Sequence, residues 1–446
     1  MSNLETIIFT IVAALFFLVV FLGHWLLRGQ FYQTSANDLI PRLQYYTNSI
    51  WSGYNHFVFW FGWEFLWVIA AGFYAKFNRA SSAFLLTSTC KFIVFISLLK
   101  MFWNDPAPYM DKDLIRAGKC NQDTFQTPSL EVSVAAFAYS MMFYLAYDWI
   151  DIVRPRVKGN DGNNIQGDNN QASYEDEANE FFLHESSDYQ RTKANDFSFW
   201  AILALILFGV FMIAYAAMYF GINSLDQVFY GMFLAYGIFC VVYFFVKDWA
   251  IHRYILISEK MIPVSKIVIT SVQQIVLIVL LIIVARIYYG FQTNGFTVNP
   301  HWKSEHADKC KILSFPGFFD KEMGRIYNFL FLDLGIIIGL VFDSLILGGT
   351  RVDYNQLRES EDRNSLVGFI FRFIMTVGWI IACIIGMDYL LGMLVHHWLF
   401  IIAIPYFVCG FGLFTFIKYI FEVVGATRPE IHPILEIKSV ELRIED

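Results

Sequence analysis

Charged side chains inside apolar runs are the first residues of this chain that could do chemistry. Glu64, Lys91, Arg286 and Asp333 all fall within or at the end of long apolar stretches, where a charge costs about 2.5–3.5 kcal/mol at a helix centre on insertion scales. Glu64 and Lys91 lie in consecutive stretches that must run antiparallel, so an ion pair between them is expected. Arg286 and Asp333 suggest a second pair in the same way. Such pairs are structural, although a channel or transporter would use the same residues. His301 and His306 with Asp308 offer ligand-type atoms, but their spacing matches no metal motif, and the chain holds neither His-Glu-x-x-His nor a glycine-rich phosphate loop. No metal and no cofactor is expected. Of the six cysteines, Cys90, Cys240, Cys383 and Cys409 sit in apolar stretches, where a lone thiol behaves as a small hydrophobe. Cys120 and Cys310 lie in loops on one and the same side, and in an oxidising compartment these two can pair.

The elements that carry these residues follow from composition. Hydrophobic residues make up 57% of the 446 positions and charged ones only 16%, against about a quarter charged in a soluble domain. Ten apolar stretches are long enough to cross a hydrocarbon core, which takes about 20 helical residues: roughly 5–27, 56–76, 82–103, 130–150, 197–220, 226–246, 267–288, 326–349, 367–388 and 391–421. The last contains Pro405, so a kink or re-entrant break is expected there. The first is read as a retained span, because it is too long for a signal-peptide core and runs into His24-Trp25-Leu26-Leu27-Arg28 with no cleavage site. Ten spans put both termini on one side, here side A. Lys and Arg are more numerous there, so side A is expected to be cytoplasmic and side B luminal or extracellular, in an endomembrane or the plasma membrane. The sequence pI of about 5.7 and the lack of a basic stripe argue against nucleic acid as a partner.

The fold class expected is thus all-α, a polytopic membrane protein of about ten transmembrane helices. A polar, acidic segment over 151–195, with Glu175, Asp176, Glu177 and Glu180, breaks the pattern and reads as a flexible cytoplasmic loop. Residues 1–250 hold six spans around that loop. Residues 251–425 hold four more, with a side-B loop at 289–325, and 426–446 form a cytoplasmic tail.

Three stretches fall at side-B ends of spans. The first is Lys100-Met-Phe-Trp-Asn-Asp-Pro-Ala107-Pro108-Tyr109. The second is Thr127-Pro128-Ser129-Leu130-Glu131. The third is Ala216-Ala217-Met-Tyr-Phe-Gly-Ile-Asn223-Ser-Leu-Asp226-Gln-Val-Phe-Tyr-Gly231. Together, in order and in side, they resemble the three motifs of the type 2 phosphatidate phosphatase (PAP2) superfamily: Lys-x6-Arg-Pro, Pro-Ser-Gly-His and Ser-Arg-x5-His-x3-Asp. The resemblance covers about 60–250 and implies a PAP2-like six-helix core over residues 1–250. It also implies roles. The family's nucleophilic His falls on Asn223 and its acid His on Glu131. Its two phosphate-clamping Arg fall on Ala107 and Ala217, while Lys100, Ser129 and Asp226 keep the family residue.

Those replacements point away from catalysis. A carboxamide is no useful nucleophile toward a phosphate ester, and loss of two guanidinium forks removes the bidentate clamps on a phosphate dianion. An ionised Glu131 would repel that dianion, by about 4 kcal/mol for unit charges 4 Å apart at an effective dielectric of 20. No catalytic set is intact. Lys100 and Ser129 are the residues left for ligand binding, but local roles explain them too: Lys100 pairing with Glu131, Ser129 capping the fourth span, and Asp226 capping the sixth. The function expected is a non-catalytic PAP2-like membrane protein that binds a membrane lipid or a partner membrane protein. The alternatives are a lipid- or sugar-phosphate phosphatase with a divergent site, using His301 or His306, and a channel or transporter subunit.

Overall fold

Lipid offers no partners to a bare peptide group, so an apolar stretch crosses it as a helix that satisfies its own backbone. The computed structural model describes residues 3–45, 49–62, 64–77, 79–118, 125–153, 193–258, 264–310, 318–346, 366–386 and 403–424, and among these the secondary structure is helical throughout. In chain order the helices are α1 (Asn3–Thr34), α2 (Ile40–Tyr45), α3 (Ser49–Trp60), α4 (Glu64–Lys76), α5 (Arg79–Trp103), α6 (Pro108–Asp111), α7 (Leu130–Val153) and α8 (Lys193–Tyr219). They continue as α9 (Leu225–Val241), α10 (Lys247–Ser258), α11 (Val264–Gly295), α12 (Pro300–Cys310), α13 (Phe318–Leu345), α14 (Leu366–Ile381), α15 (Ile404–Phe414) and α16 (Phe416–Val423). Nine helical runs among the described residues, some of them joining consecutive helices such as α15 and α16, are long and apolar enough to span a membrane, and α3 with α4, bent by 44°, make up to a tenth. The chain is a polytopic all-α membrane protein.

One expectation about the helices changes. The side-B loop at 289–325 is largely helical, because α11 runs on to Gly295 and α12 follows at once. Pro405 sits in the first turn of α15, which opens at Ile404 after a turn at Ala403, a place where its missing N–H breaks no helical bond; the stretch that leads up to it, 387–402, lies outside the described residues. Within the described part of this stretch a break falls at Thr415, between α15 and α16. Residues 154–192, 387–402 and 425–446 lie outside the described residues, and with them most of the acidic loop, the first part of the tenth stretch and the tail.

Helices from both halves of the chain share one interior. Along α5 and α13, three ion pairs join the two helices from end to end: Arg79–Asp343 at 2.7 Å, Lys91–Asp333 at 2.8 Å and Lys100–Glu322 at 3.4 Å. Both intramembrane pairings expected above are therefore replaced. Lys91 reaches across to Asp333, Arg286 stacks on the Tyr289 ring at 5.0 Å, and the Glu64 side chain lies outside the described residues. Burial of an ion is costly unless it is paired and hydrogen-bonded, and Asp343 takes a second cation, Lys418 at 2.8 Å. Arg372, also buried within a span, donates from Nε to the Ala75 carbonyl at 2.8 Å near the end of α4, a role that suits a cation at a helix C-terminus.

Where α13 meets α15 the backbones touch. A Cβ on Gly335 would lie 2.2 Å from the Phe407 carbonyl oxygen, and one on Gly410 would lie 2.5 Å from that of Leu332. Gly335 and Gly339 form a small-xxx-small pair, which lets membrane helices gain dispersion energy that lipid would otherwise match. Gly335→Ala should therefore lower the thermal midpoint by overpacking, at a cost of about 1–3 kcal/mol. Gly378→Ala, which meets nothing within 4 Å, should not lower it. Equal midpoints in a detergent melt of the two variants would refute this account.

The thiols of Cys90, Cys240, Cys383 and Cys409 are free, and Cys310 is disulfide-bonded. Cys120 lies outside the described residues. Non-reducing peptide mapping is expected to recover Cys120 joined to Cys310. Closing a loop of about 190 residues contributes about 5 kcal/mol in the chain-entropy description, and recovery of both peptides as free thiols would remove the bond.

Candidate functional site

The three sequence stretches meet because their backbones bond one another at the side-B ends of α5, α7, α8 and α9. The Gln126 N–H donates to the Asp105 carbonyl at 2.9 Å, Ser129 to Gln227 at 3.1 Å, and Tyr109 to Gly221 at 3.2 Å. The Gln227 side-chain amide closes the set by donating to the Pro106 carbonyl at 3.2 Å. Gly221 makes the turn from α8 possible: its φ is +70°, and a Cβ there would lie 2.6 Å from Ile115 and 2.9 Å from the Arg116 carbonyl. The turn delivers Asn223 inward and Ser224 to the cap of α9.

Capping differs from expectation. Ser224, not Asp226, is the N-cap residue of α9, and its N–H donates to Gln227 Oε1 at 2.9 Å in a capping box. Asp226 sits in the first turn, near the positive end of the helix dipole, and accepts the Ser224 hydroxyl at 2.5 Å. Ser129 does precede α7, but its hydroxyl goes elsewhere. It donates to the Asn223 carboxamide oxygen at 3.1 Å, and the Asn223 amide in turn donates to the Gln126 carbonyl at 3.2 Å. Ser129, Asn223 and Gln126 are all fully buried.

Lys100 ends up with a partner that the motifs do not contain. Its ammonium faces Glu322, in the second turn of α13, and Glu322 also binds Arg325 at 2.6 Å. Lys100 and Glu322 have no solvent exposure. Glu131, the expected partner, lies within electrostatic reach of Lys100. One of its carboxylate oxygens is buried and has no hydrogen-bond partner among the described residues. Ala107 and Ala217 are each 0% exposed, so a guanidinium at either position would have to displace packed side chains. His306 is buried as well, with Nδ1 3.2 Å from the Tyr109 hydroxyl. His301 stays on the surface, 3.9 Å from Asp113.

Chemically, this is a polar knot. The Ser129 hydroxyl donates to a carboxamide, which cannot draw off its proton as an imidazole would, and the lysine that could meet a phosphate already faces a carboxylate. The residues that sequence reasoning missed, Gln126, Ser224 and Glu322, are the ones that satisfy the others. An open crevice of about 850 Å³ lies elsewhere, between α4, α7, α8 and α14, with Val68, Phe73, Phe143 and Phe373 on its walls and Lys76 and Tyr139 as its polar residues.

Neither a curated protein nor a solved structure matches this chain. Residues 81–251, which run from α5 into α10 and contain Lys100, Ser129, Glu131, Asn223 and Asp226, match the family model of the PAP2 superfamily.

Proposed function

We propose that this chain is a non-catalytic PAP2-like integral membrane protein, in which the position of the family's phosphate site has become part of the fold and the protein works by binding a membrane lipid or a partner membrane protein. The observation that carries this reading is the buried Ser129–Asn223–Gln126 chain, which sits where the resemblance puts nucleophile and phosphate clamp. Every group in it has a protein partner, so a phosphate would have to displace bonds already made, and bonds to buried groups are expensive to break. Lys100 adds to the argument, since its charge is met by Glu322 and is not left for a ligand.

Binding of lipid is supported by the crevice, whose apolar walls suit an acyl chain and whose Lys76 lies in the last turn of α4, where a cation can meet an anionic headgroup. The transporter reading loses its motive, because Lys91 and Asp333 find each other across α5 and α13. The phosphatase reading keeps one observation, the imidazole of His306 held against Tyr109. The test is turnover: purified protein is assayed against phosphatidate, lysophosphatidate, sphingosine phosphate and sugar phosphates beside Asn223→Ala, Glu131→Ala and His306→Ala. Activity that any of these substitutions abolishes would replace the binding function with a catalytic one.

A further inference from the structure

Helix α12 and the turn that follows α6 bring three ligand-type side chains together on the side-B surface. Asp113, His301 and Glu305 each offer one atom, and these atoms lie within 4.8 Å of one another. His301 and Glu305 are four residues apart on one helix and so project from one face of it. Asp113 comes from a different element, which is why the spacing of His301, His306 and Asp308 gave no sign of the group. His306 faces inward to Tyr109.

The two elements are held in register by bonds that do not involve the three side chains' free atoms. The Lys309 ammonium donates to the carbonyls of Tyr109 and Lys112, both at 2.7 Å, and so fastens α12 to the segment that carries Asp113. At the start of α12 the His301 N–H is bound by the Asn299 side chain at 3.0 Å, and at its end Cys310 is disulfide-bonded. Lys309 also binds Glu305 Oε2 at 2.8 Å, which leaves the other oxygen for a ligand.

We propose that Asp113, His301 and Glu305 form a zinc site that clamps α12 onto the core. Zinc takes both imidazole nitrogen and carboxylate oxygen as ligands, and three protein ligands leave its fourth tetrahedral position for water, whereas calcium asks for six to eight oxygens. Tetrahedral zinc with bonds of about 2.0–2.1 Å places its ligand atoms roughly 3.3 Å apart. The 4.8 Å group therefore closes by rotation of Asp113 and His301, both exposed side chains, while the tethered backbones stay in place. The positive Lys309 lowers the affinity below that of a site with two free carboxylates.

The test uses the full-length protein, purified on a histidine-free tag, stripped with chelator and titrated with zinc chloride in detergent, with calcium chloride in parallel. One equivalent of zinc is expected to bind saturably and to raise the thermal midpoint by mass action. His301→Gln should abolish both effects, and Asp113→Asn should weaken binding by about tenfold or more. Absence of saturable zinc binding, zinc binding unchanged in His301→Gln, or a response to calcium alone would each overturn the proposal.

Discussion

Asp343→Ala is expected to cost about 3–5 kcal/mol, the range for removing one partner of a buried ion pair, and to be the most damaging single truncation among the interhelical pairs. Asp343 is 0% exposed and is the carboxylate that both Arg79 and Lys418 face, at 2.7 and 2.8 Å. Alanine leaves two buried cations of like charge without the carboxylate that both face. Arg79 keeps its bond to the Phe414 carbonyl at 2.9 Å, a neutral acceptor in place of a carboxylate. Asp343→Asn keeps an acceptor and should fall between the two. Asp333→Ala should be milder, because Lys91 is 31% exposed and its flexible stem can carry the ammonium toward the interface. Thermal melts in one detergent would rank the three, and an Asp343→Ala midpoint equal to wild type would show that the pair carries no stability. A triple apolar replacement, Arg79→Met with Asp343→Leu and Lys418→Leu, should recover much of the loss, since a buried ion pair exchanged for packed hydrocarbon is often neutral or better.

That ranking rests on contacts that hydropathy cannot supply. The spans were legible because lipid forces each apolar run to satisfy its own backbone, and composition alone carries that demand. Which span touches which is a separate matter. Lys91 could be matched by depth to Glu64 or to Asp333, and sequence order favours the consecutive stretch, yet α13 lies beside α5. One signal was present. Arg79, Lys91 and Lys100 recur at roughly three-turn intervals of a helix, as do Glu322, Asp333 and Asp343 in reverse order, which is the pattern two antiparallel helices need in order to pair at three depths. The site divides in the same way. Ser129 and Asn223 could be placed because short motifs fix them at helix ends. Glu322 could not, since in sequence it is one acid within Asp320-Lys321-Glu322 at the edge of a loop, and only the packing of α13 against α5 makes it the partner of Lys100. Asp113 is hidden for the same reason, as an isolated acid far along the chain from His301.

The purified protein is expected not to hydrolyse phosphatidate, lysophosphatidate, sphingosine phosphate or sugar phosphates above background, and restoring the family nucleophile alone, as Asn223→His, is expected to leave it inactive. Members of a catalytic unit act together, so losing one can cost about as much as losing all, and regaining one gains little. The structure adds a steric reason. Asn223 is fully buried between Ser129 and Gln126, so an imidazole there would break both bonds before it met a substrate. Clamping the phosphate would need Arg at 107 and 217, yet both alanines have no exposed surface, and overpacking a buried site costs about 1–3 kcal/mol for even a few added methylenes. Lys100 would have to leave Glu322. Rebuilding the three motifs in full should therefore lower the melting midpoint without creating turnover, unless Glu322→Gln is added to release Lys100. The informative series is wild type, Asn223→His, the rebuilt motifs, and the rebuilt motifs with Glu322→Gln, assayed in one detergent and lipid mixture with contaminant controls. Turnover in the wild type that Asn223→Ala, Glu131→Ala or His306→Ala removes would show that the buried Ser129–Asn223 bond opens during a working cycle.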